Sequence, residues 1–537
     1  MWRKGWREHI WSAIDQPWDL IIIGGGITGA GVLRQAVAAR LKTLLVEAND
    51  FASGTSSRSS KLIHGGFRYL RNKQINVTKE SVREREWMLR EAPDLVTPLS
   101  FLLPNFERYH SPSWKLGLGV MIYDLLAPKW NHRKCSPAKL LEACPFLNAG
   151  GLVGGFQYYD AVMDDARLLL RILREAVQAG GAALSYTRAE RLLRTGDGQV
   201  CGVLLRDSLS PDSHTAEVKA KVVVNASGAW SDEVRSQLGQ PARLRRLRGS
   251  HLVFGRARLP VSQALTLFHP RDGRAMFVIP WEGATIIGTT DIDHDPALDK
   301  KYLEPFAGEE EIRYMMEALS FMFPSLGLSE KDIVSSFSGL RPVIHTGAAT
   351  PSKESRAHAL WEENELITIT GGKYTTFRVM SRQTINSVLA RLGKPQMVTH
   401  QRIFDPLPDL SSFSPEPLSI AYLAGRHGNE TARLLAAAKQ GELEPIGQLP
   451  NVWAELRWAA REEGVEHLDD LLLRRVRLGL LLPLGASELL GRIRTIVQPE
   501  LEWSDERWQQ EEAAYLQTWQ KYYSPTPDSG RRGLRSN

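Results

Sequence analysis

The chain has 537 residues, 43% of them hydrophobic and 24% charged, which excludes extensive disorder and exceeds what one ordinary core accommodates. Its 67 basic and 61 acidic residues leave a net charge of +6, which favours anionic ligands or an anionic membrane surface only slightly and establishes neither. Cys135, Cys144 and Cys201 form no CxxC pair, which excludes a disulfide framework or structural zinc site of the usual spacing and makes a reduced, intracellular setting the default.

The first stretch, MWRKGWREHIWSAIDQPW, places Trp2, Trp6, Ile10 and Ile14 at helical spacing, with Arg3, Lys4 and Arg7 between them. Such a basic amphipathic helix suits a membrane interface; the same stripe equally suits packing against its own domain, and the sequence leaves both open. It lacks the apolar core of a signal peptide. No apolar run approaches the ~20 residues of a spanning helix, the nearest being the short, proline-containing LGLLLPLG at 478–485, so the protein is expected not to cross a membrane.

Residues 18–50, WDLIIIGGGITGAGVLRQAVAARLKTLLVEAND, read as strand, turn, helix, strand. Leu20 to Ile23 form a continuous apolar run, as a strand buried on both faces should. Gly24, Gly26 and Gly29 then supply GxGxxG where the strand meets the helix, so the backbone can turn tightly and approach a pyrophosphate at the helix N-terminus. The second strand, Thr43 to Val46, ends at Glu47, whose carboxylate can accept hydrogen bonds from a ribose diol. This unit predicts a dinucleotide site and leaves NAD and FAD both open. The hydroxyl-rich loop that follows, with Thr55, Ser56, Ser57, Ser59, Ser60 and the Gly65–Gly66 pair, interrupts the repeated strand–helix pattern of a nicotinamide enzyme and suits a long, extended cofactor.

Further along, PLSFLLP (98–104), SHLVFG (250–255), AMFVIPW (275–281) and ATIIGTTD (284–291) read as strands of a largely antiparallel sheet that roofs the cofactor. DDARLLLRILREAVQAGG is an amphipathic helix with an acidic start and a Gly-Gly stop. AKVVVNASGAW (220–230) and ELITITGGKYTTFR (365–378) read as returning strands of the cofactor sheet, with glycine at the carboxyl end where ligands of open α/β sheets sit. RLRRLRGSHLVF carries Arg243, Arg245, Arg246 and Arg248 without interleaved aromatics, so it reads as a solvated strand face or a positive entrance and not as a nucleic-acid site. TTDIDHD lacks the ligand spacing of a calcium loop, and no metal is expected. Beyond residue 390 helical segments dominate, including SDERWQQEEAAYLQTWQKYY with Trp508, Tyr515, Trp519 and Tyr522 on one face, and the final 524–537 is expected to be disordered.

In this order, GGGITGAG, TSSRSSKLIHGGFRYL, DDARL, NASGAW, GSHLVF, IPWEGATIIGTTD, SGLRP and GGKYTTFR resemble the FAD-dependent, quinone-linked glycerol-3-phosphate dehydrogenases, from about Asp19 to Arg378. The chain departs from the family pattern at Phe67, Ala229, Tyr374 and Phe377, each beside a polar position. The resemblance implies an α/β (α+β overall) fold: a Rossmann-like FAD-binding domain of the glutathione-reductase/amino-acid-oxidase type, an antiparallel-sheet substrate domain and a helical C-terminal domain. The expected boundaries are an N-terminal amphipathic segment at 1–18, a discontinuous FAD-binding domain at 19–75, 150–245 and 330–390, an inserted substrate domain at 76–149 and 246–329, and a helical domain at 391–523.

The implied reaction is oxidation of sn-glycerol 3-phosphate to dihydroxyacetone phosphate, with electrons passing through FAD to a membrane quinone from a cytoplasmic, peripheral position on an anionic lipid surface. Whether the protein forms a homodimer stays open. The resemblance assigns substrate contacts to Arg68, Tyr69, His251, Arg341 and Lys373. Among these, His251 is the leading base, since an imidazole titrates near the working pH. Arg341 would stabilise developing negative charge on oxygen, because a guanidinium stays protonated. Arg68 and Lys373 fall to the phosphate and to the junction of flavin and substrate. Cofactor contacts are implied for Gly24, Gly26, Ile27, Thr28, Gly29, Glu47, Thr55, Ser56, Ser59, Ser60, Lys61, Leu62, His64, Gly65, Ser227, Gly228, Gly339, Gly372, Lys373 and Thr375. The rival readings are an oxidase returning electrons to oxygen, an amino-acid oxidase of the same wider fold, and a catalytically silent flavoprotein at a membrane surface.

Overall fold

The computed structural model describes residues 2–66, 75–109, 132–210, 212, 214–301, 304–347, 354, 357–397, 402–411 and 417–525. Two sheets organise them. In the first, the strand order is His358–Glu363, Leu366–Gly371, Thr215–Asn225, Trp18–Ile23, Thr43–Val46 and Ala182–Leu184. Along this path all neighbours run parallel except the edge strand His358–Glu363, which is antiparallel to Leu366–Gly371; off it, Val200–Asp207 pairs antiparallel with both Thr215–Asn225 and Thr187–Arg194. Leu20, Ile21 and Ile22 are fully buried, as expected of a central strand covered on both faces. The helices Ile27–Ala38 and Asp165–Gln178 contribute to that cover, with Ala30, Leu33, Leu169 and Ile172 in the same apolar core as the strands.

The second sheet runs Ile292–Asp293, Leu244–Gly255, Ala284–Gly288, Ala275–Trp281, Ala264–Phe268, Val96–Phe106, Leu152–Met163 and Leu62–Ile63, with Ile333–Ile344 paired to Leu244–Gly255. It is largely antiparallel; Ala264–Phe268 and Val96–Phe106 run parallel. Leu62–Ile63, Leu152–Met163 and Ile333–Ile344, which fall in segments expected for the cofactor-binding part, pair in this second sheet. A buried strand looks alike in either sheet, because its hydrogen-bond partner is not written in its own residues.

Of the arginines of RLRRLRG, Arg243 is exposed, while the other three are bound to acids. Arg245 pairs with Asp293 (2.6 Å) and Glu354 (3.2 Å), Arg246 with Asp299 (2.7 Å), and Arg248 with Glu311 (2.9 Å). The N-terminal helix spans only Trp6–Ser12, and its apolar stripe turns inward: Trp2, Trp6 and Ile14 are buried in the core that holds the first sheet. That removes the stripe as a free membrane-facing surface. Among the described residues no helix is long and apolar enough to cross a membrane.

After the strand Leu366–Gly371 the chain is mainly helical. In Asp505–Tyr522, the Ser504 side chain caps the Arg507 N–H, and Trp508, Tyr515, Trp519 and Tyr522 are buried along one face. From residue 526 on, the expected tail lies outside the described residues. The helical region joins the first sheet's loops through buried ion pairs. Arg167 pairs with Glu463, Arg475 with Asp50 (2.6 Å), and Arg477 with both Asp164 and Asp165.

Candidate active site

The glycine turn closes where the first sheet's parallel strands end. Gly24 has φ +114°, and a Cβ there would lie 2.6 Å from the Ala226 carbonyl oxygen; one on Gly29 would lie 1.9 Å from the Gly24 carbonyl oxygen. Only glycine leaves the backbone so bare at both points. The Ile27 N–H donates to Ser56 Oγ (2.9 Å), which fastens the hydroxyl-rich loop to the helix N-terminus while Thr28 stays half-buried beside it. Glu47 sits largely buried at the end of its strand and accepts from the Gly25 N–H (2.7 Å) and the Asn49 N–H (2.9 Å). Burial raises its carboxyl pKa, against the pull of those two amides.

Returning strands complete the rim. Thr370 Oγ1 donates to the Gly228 carbonyl (2.9 Å), and Ser227 Oγ donates to Asn225 Oδ1 (2.6 Å). The Gly372 N–H is bound to the Ala357 carbonyl, and Thr375 Oγ1 reaches the His64 carbonyl at 3.5 Å. Thr55 Oγ1 donates to the Leu340 carbonyl, next to Gly339, which pairs with Gly249 across the second sheet. The Gly65 N–H donates to Asp160 Oδ1 (3.3 Å), and the His64 ring meets Phe277 edge-on at 6.0 Å. These contacts bring together residues up to 311 positions apart in the chain and join the two sheets.

Two side chains in the expected cofactor set turn away. The Lys61 ammonium is fully buried and donates to Asp165 Oδ1 and Oδ2 (2.9 and 2.8 Å) and to the Ser57 carbonyl (2.6 Å). Burial and the neighbouring Arg477 charge lower its pKa to about 8. Leu62 packs with Val82, Phe101 and Tyr158 and pairs in the ladder with Val162. The side chains of both are engaged by the protein itself, which leaves their backbone groups for any cofactor contact. Ser59 is likewise bound to Asp165, through N–H (3.0 Å) and Oγ (2.7 Å).

Two of the residues expected at the substrate, His251 and Arg341, lie on the second sheet. His251 is 1% exposed, its ring stacked on Phe337 with centroids 4.7 Å apart, and Ser60 Oγ lies 2.8 Å from Nε2. Nδ1 is buried and has no hydrogen-bond partner among the described residues. Burial first, then the Arg341 and Lys61 cations, push the imidazole pKa well below 6.5, so the ring is neutral at neutral pH. Arg341 lies across Gly249, where a Cβ would come within 2.3 Å of Nη2. Its guanidinium donates to Asp291 Oδ1 (2.9 Å), the Thr290 carbonyl (3.1 Å) and Thr289 Oγ1 (2.7 Å), yet its side chain stays 26% exposed. Lys373 Nζ donates to Ser81 Oγ (2.8 Å) and points at the Gly65 carbonyl, 3.5 Å away. Arg68 and Tyr69 lie outside the described residues.

Sequence reasoning missed Asp291, which is buried and also pairs with Arg274 (3.2 Å). It is one of the aspartates of TTDIDHD, weighed above only as a metal loop; its place just after an apolar strand was the available signal. Asp165 was missed too, since an acid opening a helix reads as a capping residue. Among the described residues no cluster of His, Cys, Asp and Glu could hold a metal ion. The bare glycine turn, the helix N-terminus above it and the acidic strand end fit the pyrophosphate and ribose of FAD.

Residues 19–374 match the family described as FAD dependent oxidoreductase, and residues 370–508 match the C-terminal domain of alpha-glycerophosphate oxidase. The aerobic glycerol-3-phosphate dehydrogenase of Staphylococcus aureus (strain USA300) is 34% identical over 504 residues, spanning 87% of this chain and 88% of that protein. The glycerol-3-phosphate dehydrogenase from Bacillus halodurans, solved in complex with FAD, aligns with a TM-score of 0.75 at 29% identity, over 98% of this chain and 99% of that one. L-alpha-glycerophosphate oxidase from Mycoplasma pneumoniae with FAD bound shares the fold, with a TM-score of 0.56 at 16% identity over 74% of this chain and 100% of that one. Fold and site thus define an FAD-dependent oxidoreductase. Within that class, the chain belongs to the glycerol-3-phosphate dehydrogenase family.

Proposed function

We propose that this chain oxidises sn-glycerol 3-phosphate to dihydroxyacetone phosphate and delivers the electrons to a membrane quinone. The observation that carries the reading is the placement of Arg341. A fixed, partly exposed guanidinium stands on the same sheet face as a neutral, buried imidazole. FAD, when bound, supplies the acceptor for the hydride from carbon two.

The protein's own groups position the polyol and handle its proton. Arg341, anchored to Asp291 and Thr289 with its side chain 26% exposed, is the cation that steadies negative charge on the substrate oxygen as the hydroxyl proton leaves. His251 is the acceptor for that hydroxyl proton, with the half-buried Ser60 Oγ, 2.8 Å from Nε2, as the group through which the proton reaches the buried ring. Lys373 and Arg68 serve the phosphate, and Tyr69 adds a hydroxyl contact; each charge-assisted bond contributes ~1.5–3 kcal/mol. A quinone acceptor calls for peripheral contact with an anionic membrane from the cytoplasmic side.

Anaerobic absorbance titration of the holoprotein with sn-glycerol 3-phosphate tests the reading. Bleaching of the flavin at stoichiometric additions is expected, and a spectrum that stays oxidised at saturation overturns it. Electron return to oxygen is the second reading, favoured by the match of residues 370–508 to a glycerophosphate oxidase domain. Peroxide yield under air against reduction of a quinone analogue separates the two.

A further inference from the structure

The tryptophan-rich first residues have no part in the chemistry above, yet they reach the cofactor turn. The Trp2 ring stacks on Phe51, with centroids 4.7 Å apart and planes 20° from parallel. Phe51 is fully buried and lies directly under the glycine turn, where a Cβ on Gly25 would fall 2.9 Å from its Cδ1. The same loop, residues 47–54, carries Glu47, whose carboxylate holds the Gly25 N–H, while the Ala52 N–H returns to the Gly25 carbonyl (3.2 Å).

Trp2 is itself held from the far side. Its carbonyl accepts from the Gly464 N–H (3.1 Å), Arg3 Nε donates to Glu462 (2.7 Å), and the Arg174 guanidinium lies over its ring at 5.7 Å. Arg7 is bound to Asp207 and to the Ser185 carbonyl. The next residue of the cofactor loop, Asp50, takes Arg474 and Arg475 from the same helical region. The loop that faces the adenosine end of the site is thus clamped between the first and the last thirds of the chain.

We propose that residues 2–7 are a strap governing FAD retention, with Trp2 as a positioning residue acting through Phe51 on the Gly25–Glu47 turn. The inference rests on FAD being the cofactor and is independent of the substrate. Purified full-length holoprotein carrying Trp2→Ala, Trp2→Leu or Trp2→Phe is diluted, and flavin fluorescence follows FAD release; melting temperatures are taken with and without excess FAD. Trp2→Ala and Trp2→Leu are expected to weaken FAD binding roughly tenfold, within the usual range for coupled sites, and to shrink the gap between the two melts, whereas Trp2→Phe restores both. Should Trp2→Ala not fold, Trp2→Leu, which keeps buried apolar volume, carries the test. FAD affinity within about twofold of the unsubstituted protein in Trp2→Leu, or an equal fall of both melts with an unchanged gap, overturns the proposal. So does loss of binding to vesicles of anionic phospholipid with FAD affinity unaltered.

Discussion

Gly249→Ala separates position from stability at the Arg341 site. Gly249 lies in an extended strand, paired with Gly339, so alanine suits the backbone there. Its methyl would nonetheless lie 2.3 Å from Arg341 Nη2, 2.6 Å from Cζ and 2.7 Å from Thr289 Oγ1. To regain ordinary contact at 3.4 Å the guanidinium has to retreat by roughly 1 Å, and because it ends a flexible side chain, it can do so. The retreat loosens its bonds to Asp291 and Thr289, so a stability cost of about 1–2 kcal/mol is expected. Function should respond more strongly. Losing one charge-assisted bond of ~1.5–3 kcal/mol corresponds to about 10- to 150-fold in rate, and a 1 Å displacement of a catalytic group costs about 100-fold. Anaerobic stopped-flow reduction of the flavin by sn-glycerol 3-phosphate measures the rate, and thermal melting the stability. A variant that reduces its flavin at the native rate refutes the placement of Arg341 at the reacting oxygen; one that loses rate only because it melts early refutes the separation.

Three further outcomes follow from the same geometry. Because His251 binds fewer protons folded than unfolded, its contribution to stability is complete above about pH 6.5 and declines as the pH falls from there toward its depressed folded value. Flavin reduction should accordingly be flat in pH between about 8 and 6.5, and an inflection at the ordinary histidine value that vanishes in His251→Asn contradicts the buried, neutral ring. Ser60→Ala leaves both nitrogens of that ring without the protein partners described here, which should cost about 1–3 kcal/mol in urea unfolding and slow flavin reduction by roughly tenfold; full activity would remove Ser60 from the proton path. Asp165→Ala strips Lys61 and Arg477 of a shared buried carboxylate and should destabilise by ~3–5 kcal/mol, read as a lower urea midpoint; a change under about 1 kcal/mol would mean the seam is not held by charge.

Local pattern was enough for much of this protein. The run Leu20 to Ile23, the glycine turn, the acid at Glu47 and the stripe Trp508–Tyr515–Trp519–Tyr522 are legible because backbone geometry and helical or strand periodicity act over a few residues. The order of motifs likewise carried the family and the cofactor. What the linear chain left unsaid is which distant groups meet. Ser60 reaches His251 across 191 positions, and Arg341 finds Asp291 across 50. Lys61 turns to Asp165, and Trp2 faces Phe51 where its stripe suited lipid equally well. An apolar or charged side chain states only that it needs burial or a counter-charge; the packing of the two sheets and the helical region selects the partner that provides it.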